Sequence, residues 1–273
     1  MIPKIIHYCW FGGNSLPDLA LKCIDSWKKY CPDYEIICWD ETNYTFDKKS
    51  IYVQEAYEEK KWAFVSDYAR LDIIYNYGGI YLDTDVELIA SLDDLLDEEC
   101  FLGLETSGFI ATGLGFGAEK NNIAIKKMLD EYKDIHFRID KGIFDTIPCP
   151  RRNTVPFWSE GLNEKSLKIQ YLQSATIYPP EYFCPLDYVT NCINITSNTR
   201  SIHHYGSMWI SESDKQIRKM VEGYKKNHGW MTTLLYKNIL EFRFKKIEDN
   251  TSFYKFIAKK LKRKWLKIQG KLN

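Results

Sequence analysis

No charge of one sign dominates this chain: 37 Lys and Arg stand against 37 Asp and Glu in 273 residues. That balance argues against wholesale nucleic-acid binding, which calls for a basic excess. No window approaches ~18 uninterrupted apolar residues, so the sequence offers no membrane-spanning helix. Glycine and proline are few, 15 and 9 residues, and no collagen-like, low-complexity or linker segment is present. There is no internal repeat, hence no repeat array. The eight cysteines form neither a CxxC pair nor a Cys/His cluster of zinc spacing. No secretory signal precedes Met1-Ile-Pro-Lys4, which runs straight into a strand-like segment. Buried free thiols in a reducing, cytoplasmic compartment are the expectation, and the sequons at Asn43, Asn194 and Asn250 read as chance matches.

What is present describes a globular protein with a real core. Hydrophobic residues make up 45% and aromatics 15%, more rings than a core needs and suited to a site that stacks them. Charge is polarised along the chain. From Arg243 to Asn273 there are eleven basic and two acidic residues, net +9, which leaves −9 on the part before it.

Lys4–Trp10 reads as a strand ended by Gly12-Gly13-Asn14, Pro17–Tyr30 as an amphipathic helix with Leu19, Cys23 and Trp27 on one face, and Glu35–Trp39 as a second strand. This β-α-β opening predicts parallel pairing, with ligands near the carboxyl ends of the strands. Lys61–Tyr77 is a helix stopped by Gly78-Gly79, and Ile80–Leu82 a short buried strand. Further strands are predicted at Cys100–Leu104, Phe109–Ala111, Leu114–Ala118 and Ala175–Tyr178, with a late strand at Ser201–His204. Helices are predicted at Asn122–Tyr132, at Ser213–Lys226 and over most of the tail, and irregular loops between Ile135 and Pro156. The whole is an α/β domain over residues 1–242 with a basic, amphipathic helical tail over 243–273.

The strongest local signal is Gly79-Ile-Tyr-Leu-Asp83-Thr-Asp85. Two carboxylates one residue apart, where the chain leaves a buried strand, can turn toward one hard cation, and Mn²⁺ or Mg²⁺ so held keeps positions for phosphate oxygens. A solvated turn is the plain alternative. On the preceding helix, Ala63, Asp67, Arg70 and Ile74 share a face. There a carboxylate can grip sugar hydroxyls and a guanidinium can neutralise phosphate, or the two can simply pair at the surface. In His203-His-Tyr-Gly-Ser-Met-Trp209, a late strand can return an imidazole to the same cation. Gly113-x-Gly-x-Gly117 lacks the context of a dinucleotide loop and reads as tight packing or an acceptor-side loop.

These segments resemble the DXD glycosyltransferases of the sugar-binding-region type, glycosyltransferase family 32, which includes bacterial capsule and lipopolysaccharide enzymes and relatives of the yeast initiating α-1,6-mannosyltransferase. The matching pieces are Ile2–Gly13, Ala63–Arg70, Tyr77–Asp85 and His203–Trp209, in order over about 200 residues. The resemblance implies a GT-A fold, a nucleotide-sugar donor with a UDP-sugar favoured, a divalent cation and retention of anomeric configuration. Carried over residue by residue, with the related clostridial glucosylating toxins as a second guide, it implies that Trp10 stacks on the nucleobase. Ser66, Asp67 and Arg70 would meet the donor sugar and diphosphate, and Tyr81 would touch the donor. Asp83 would act through water and sugar or ribose hydroxyls, and Asp85 would bind the metal. His204 and Ser207 would face the metal, with His203 the competing ligand, and Trp209 would contact the β-phosphate.

The tail sets Phe253, Phe256, Leu261 and Trp265 among lysines and Arg263. Such a helix suits either an anionic membrane surface, at its cytoplasmic face, or the acidic domain of its own chain. The first would fit a lipid-linked saccharide acceptor and a part in surface polysaccharide synthesis. Competing readings are a catalytically inactive sugar-nucleotide binding domain and a DxD phosphohydrolase, the latter disfavoured because its nucleophilic Asp belongs near the chain start.

Overall fold

A strand, a helix and a strand open the chain in the computed structural model: β1 (Ile5–Cys9), α1 (Asp18–Tyr30) and β2 (Glu35–Trp39). The structure describes residues 1–47, 49–140, 142–187, 192–206 and 220. The chain divides into one unit of Met1–Ile139 with Thr146–Gly206 and another of Asp140–Asp145 with Ser207–Asn273. The elements and the site described below belong to the first unit, apart from β8 and the last residue of β7. Ser207, Trp209, the 242/243 boundary, the basic tail and, Met220 apart, the helix expected at Ser213–Lys226 lie outside the described residues.

After β2 come α2 (Ile51–Glu58), α3 (Trp62–Tyr77), β3 (Gly79–Tyr81), β4 (Val86–Leu88), β5 (Cys100–Gly103), β6 (Phe116–Ala118) and α4 (Ile123–Asp130). They are followed by β7 (Arg138–Asp140), β8 (Ile143–Phe144), α5 (Cys149–Trp158), β9 (Gln170–Tyr171), β10 (Thr176–Tyr178), α6 (Pro180–Phe183), β11 (Leu186–Asp187), β12 (Cys192–Ile193) and β13 (Ser201–His203). Seven strands form the main sheet in the order β2-β1-β3-β6-β5-β10-β9. β1 is parallel to both β2 and β3, and β5 to β10, while β6 runs antiparallel between β3 and β5. This mostly parallel sheet with helices packed on it is the α/β arrangement expected. Because β1 lies between β2 and β3, the strand order reverses there, and it is outside the carboxyl ends of strands at such a switch point that open α/β sheets bind ligands.

The helices form where side chains cap and bury them. The Ser50 hydroxyl accepts the Tyr52 N–H at the start of α2, and the Asn122 side chain accepts the Ala124 N–H at the start of α4. α1 buries Ala20, Cys23, Ile24 and Trp27, and the Trp27 indole N–H donates to the Val86 carbonyl at 2.7 Å. That bond satisfies a buried polar group and ties the helix to β4.

Three local expectations are corrected. The stretch Ile135–Pro156, expected irregular, holds β7, β8 and most of α5: Pro150 occupies the first turn of α5, where no helical N–H is lost, and Pro156 falls near its end. Phe109–Ala111 is no strand and contributes one bridge, Leu104 to Ile110. β4 and α2 have no counterpart among the predicted elements. Among the described residues no helix is long and apolar enough to cross a membrane.

His7 is fully buried in β1 between β2 and the end of α3. The Trp39 indole N–H donates to its Nδ1, and its Nε2–H donates to the Gly78 carbonyl, both at 3.0 Å. The ring is thereby held as the neutral tautomer. Burial, opposed only in part by the bond to Gly78, lowers its pKa from 6.5 to about 4. Unfolded, the ring takes a proton as pH falls through 6.5; folded, it stays neutral down to about 4. Its contribution is therefore complete above pH 6.5 and lost between there and 4, about 3 kcal/mol in all. Urea unfolding near pH 7.5 and 4.5 should show that extra loss in the wild type relative to His7→Gln. A difference under ~1 kcal/mol would remove the argument.

Candidate active site

The site is built by a local reversal of the chain. α3 ends at Gly78, whose φ is +70° and whose N–H bonds the Ile74 carbonyl at 2.8 Å, and Gly79 follows at φ +100°. A Cβ at Gly79 would lie 2.9 Å from both His7 Nε2 and the Ile5 carbonyl oxygen. Two left-handed positions in succession, with no room for a side chain at the second, are met only by glycine. The helix can then turn at once into β3, which lies parallel to β1 with His7 opposite Tyr81. Asp83 and Asp85 emerge at the carboxyl end of β3, beside the end of β1.

α3 delivers its polar face to the same place. Arg70 is buried, and one guanidinium nitrogen, Nη2, stands 3.1 Å from Asp67 Oδ1 and 3.1 Å from Asp83 Oδ1. Its Nε–H donates to the Ser66 carbonyl one turn back, at 3.0 Å. The guanidinium also lies over the Tyr81 ring, 5.1 Å from its centroid, and the Tyr81 hydroxyl donates to Asp83 Oδ1 at 3.1 Å. Tyr81 is itself buried; it supports the Arg70–Asp83 pair from below.

The late histidine strand reaches the site through β4. β13 pairs antiparallel with β4 so that His203 is opposite Val86 and Ile202 opposite Glu87. His203 Nε2 comes 3.2 Å from Asp85 Oδ1, and one ligand atom each from Asp83, Asp85 and His203 lie within 4.8 Å of one another. His204, expected to face the metal, turns the other way. Its Nε2 is 2.8 Å from Glu87 Oε2, which Lys22 Nζ also reaches at 2.9 Å. Neighbouring residues of a strand point to opposite faces, so only one of the two histidines can approach Asp85.

Burial and charge set the protonation of this group. Burial, with Asp85 adding to it and Arg70 opposing it, pushes the Asp83 carboxyl up to about 6. Burial also disfavours ionised Asp85, but the His203 imidazole and the Gly206 N–H, donating to Oδ2 at 2.8 Å, hold it below the usual carboxylate range. Asp67 is raised by burial, with Arg70 working against that rise. For His203 burial is outweighed by the two carboxylates, and its pKa is raised. Three carboxylates thus face one guanidinium and one imidazole. The negative excess, offered by two carboxylates and an imidazole at close range, fits a hard divalent cation such as Mn²⁺ or Mg²⁺.

Trp10 stands where β1 ends, half-buried, with its backbone N–H on the Trp39 carbonyl at 2.8 Å and its indole N–H on the Asn14 carbonyl at 2.6 Å. Arg70 thus joins Asp67, Asp83, Tyr81 and the Ser66 carbonyl in one cluster, Asp85 lies beside it against His203, and Trp10 stands at the end of β1.

It adds residues that the sequence did not single out for the site. A Cβ at Gly113 would collide with Asp83 Oδ2 and come within 3.2 Å of Arg70 Nη1, so bare backbone closes one side of the pair. Next to it, Thr112 Oγ1 accepts from the buried Asn153 amide on α5 at 2.9 Å. Cys149, first residue of α5, lies against Asp67, and burial beside that carboxylate pushes its thiol well above the usual range. The glycine run at 113–117 was the only sequence signal for any of them.

Residues 17–102 match the glycosyltransferase sugar-binding region containing the DXD motif. Inositol phosphoceramide mannosyltransferase 3 of Schizosaccharomyces pombe is 37% identical over 98 residues, 35% of this chain and 27% of the relative. Mannosyl phosphorylinositol ceramide synthase CSH1 of Saccharomyces cerevisiae is 35% identical over 109 residues, 37% of this chain and 28% of the relative. The similarity therefore spans about a quarter of each relative's length. Among solved structures, PaToxG glycosyltransferase is 21% identical, covers 58% of this chain and 70% of its own, and has a TM-score of 0.45.

Proposed function

We propose that this chain, which carries the sugar-binding region of the DXD glycosyltransferase family, transfers a hexose from a nucleotide-diphosphate sugar to a saccharide acceptor with retention of configuration. The observation that carries the reading is the convergence of Asp83, Asp85 and His203 on one point with the Arg70 guanidinium beside it.

Asp85 and His203, with Asp83, would hold Mn²⁺ or Mg²⁺, which when bound supplies positive charge to the diphosphate oxygens. Arg70 adds a second positive charge that is already oriented: Asp67 and Asp83 grip its nitrogen, and the Ser66 carbonyl fixes its Nε. Such preorganised charge stabilises the nucleoside diphosphate as the bond to the sugar breaks. Asp67 and Asp83 keep oxygen lone pairs for sugar hydroxyls, and Trp10 offers a ring at the end of β1 for the nucleobase. Retention then follows from front-face attack, in which the departing phosphate takes the acceptor proton.

A UDP-sugar is the favoured donor, and the relatives' names add a mannosyl donor to the candidates and a lipid acceptor as precedent. The basic tail, residues 243–273, would bring the enzyme to the anionic cytoplasmic face of a membrane, where a lipid-linked acceptor for glycan synthesis is found.

The test is a donor panel (UDP-Glc, UDP-Gal, UDP-GlcNAc, GDP-Man) with Mn²⁺ or with EDTA, scored by nucleoside diphosphate release. Release from one donor, abolished by EDTA, is expected. Thermal stabilisation by a donor without release would instead indicate a binding domain, and neither response with any donor would end the proposal.

A further inference from the structure

Tyr205 has no part in the reading above, yet it occupies a position that a tyrosine rarely adopts. Its φ is +50°, and only Lys60 and Asn121 share a positive φ among the described non-glycine residues. A left-handed backbone is unfavourable for a bulky side chain and persists only where the surroundings over-determine it. Here the residues on either side of Tyr205 lead to Asp85. Before Tyr205, His203 Nε2 lies 3.2 Å from Asp85 Oδ1, and the His204 N–H donates to the Asp85 carbonyl at 2.9 Å. After it, the Gly206 N–H donates to Asp85 Oδ2 at 2.8 Å. To present an imidazole and a backbone N–H to the two oxygens of one carboxylate within four residues, the chain must fold back over it. The left-handed turn at residue 205 does this.

The Tyr205 side chain then holds the imidazole. Its ring meets that of His203 edge to face, with centroids 4.2 Å apart and planes at 75°, and its hydroxyl is anchored 2.9 Å from Cys184 Sγ. An imidazole that binds a metal is ordinarily oriented by a hydrogen bond at its other nitrogen. His203 lacks one: Nδ1 is buried and has no hydrogen-bond partner among the described residues.

We propose that Tyr205 is a positioning residue for the cation cluster, its ring substituting for that missing bond by fixing His203 against Asp85. The inference rests on the function proposed above. It assigns to Tyr205 no contact with substrate or cation.

Two variants separate positioning from backbone strain. Tyr205→Gly keeps the left-handed turn and relieves its strain while removing the ring and hydroxyl; Tyr205→Phe keeps the ring and removes only the hydroxyl. Mn²⁺ binding to the full chain is read from the signal of free Mn²⁺ by electron paramagnetic resonance, with thermal melting as the check on folding. Tyr205→Gly should fold and bind Mn²⁺ about tenfold more weakly, the loss seen when an outer partner of a ligand is removed. Tyr205→Phe should stay within about threefold of wild type, since the ring-on-ring packing remains. Equal binding by wild type and Tyr205→Gly would overturn the positioning role and leave the proposed function standing. No Mn²⁺ binding by the wild type would overturn both.

Discussion

Asp85→Asn is expected to slow turnover by about 10²–10³-fold, the loss typical when one preorganised charge partner of a transition state is removed. The side chain keeps its size, so the effect is one of charge. Asp85 is the carboxylate of the cluster most firmly held in the ionised form, by His203 at Oδ1 and the Gly206 N–H at Oδ2. A neutral amide offers one oxygen and one NH₂ group in its place. Either the NH₂ faces Gly206, setting donor against donor, or it faces His203 and withdraws the oxygen from the cluster. Mn²⁺ affinity and turnover should therefore fall together, while nucleotide binding in the absence of metal is retained. Turnover within about threefold of wild type at saturating Mn²⁺ would remove Asp85 from the metal-holding role.

Replacing Arg70 by methionine should damage the fold as well as the reaction. The guanidinium is buried against two carboxylates, Asp67 and Asp83, and makes an ion pair with each. Removing one partner of a buried ion pair costs about 3–5 kcal/mol, because the remaining charges are left uncompensated. Protonation gives partial relief. Asp83, already raised to about 6 with Arg70 present, should be driven higher without it. The variant should therefore regain stability relative to wild type as pH falls from 7 toward 5, the opposite of the trend expected from His7. Arg70→Lys separates stability from chemistry. It keeps a positive charge, so most stability should survive, but a single ammonium cannot reproduce the contacts to Asp67, Asp83 and the Ser66 carbonyl together. Turnover should fall by about 10²-fold or more. Arg70→Lys with near wild-type turnover would show that only net charge at this position matters.

The course of α3 into β3 was legible in the sequence because every signal for it is local. Helical spacing over residues 61–77, the Gly78-Gly79 stop and the apolar Ile80–Leu82 run specify a helix, a reversal and a strand without reference to the rest of the chain. That one segment carries Asp67, Arg70, Asp83 and Asp85, so half of the site could be read from composition and spacing. The β-α-β opening that sets Trp10 at the end of β1 was legible for the same reason.

The choice between His203 and His204 was not. It depends on the register of β13 against β4, and a shift of one residue exchanges the two faces. β4 has only three residues, Val86–Leu88, too few to show alternation, and its identity comes from the Trp27 indole on the Val86 carbonyl and from pairing with a strand more than a hundred residues away. α5 was hidden for a different reason. Pro148 precedes it and Pro150 and Pro156 lie within it, and proline disfavours a helix interior but loses no helical bond in a first turn. With α5 unread, Cys149 and Asn153 could not be placed.

By itself the sequence determined the opening parallel unit, the helix that presents a carboxylate and a guanidinium, and the paired aspartates at a strand exit, since each arises within a short stretch, the longest being the β-α-β unit from Ile5 to Trp39. The tertiary structure decided what these groups become. It set Arg70 between two carboxylates, closed Gly113 backbone over Asp83, and brought His203, with Tyr205 behind it, onto Asp85. Those relations depend on burial, on strand register and on contacts across the sheet, and they exist only once distant parts of the chain have displaced the water between them.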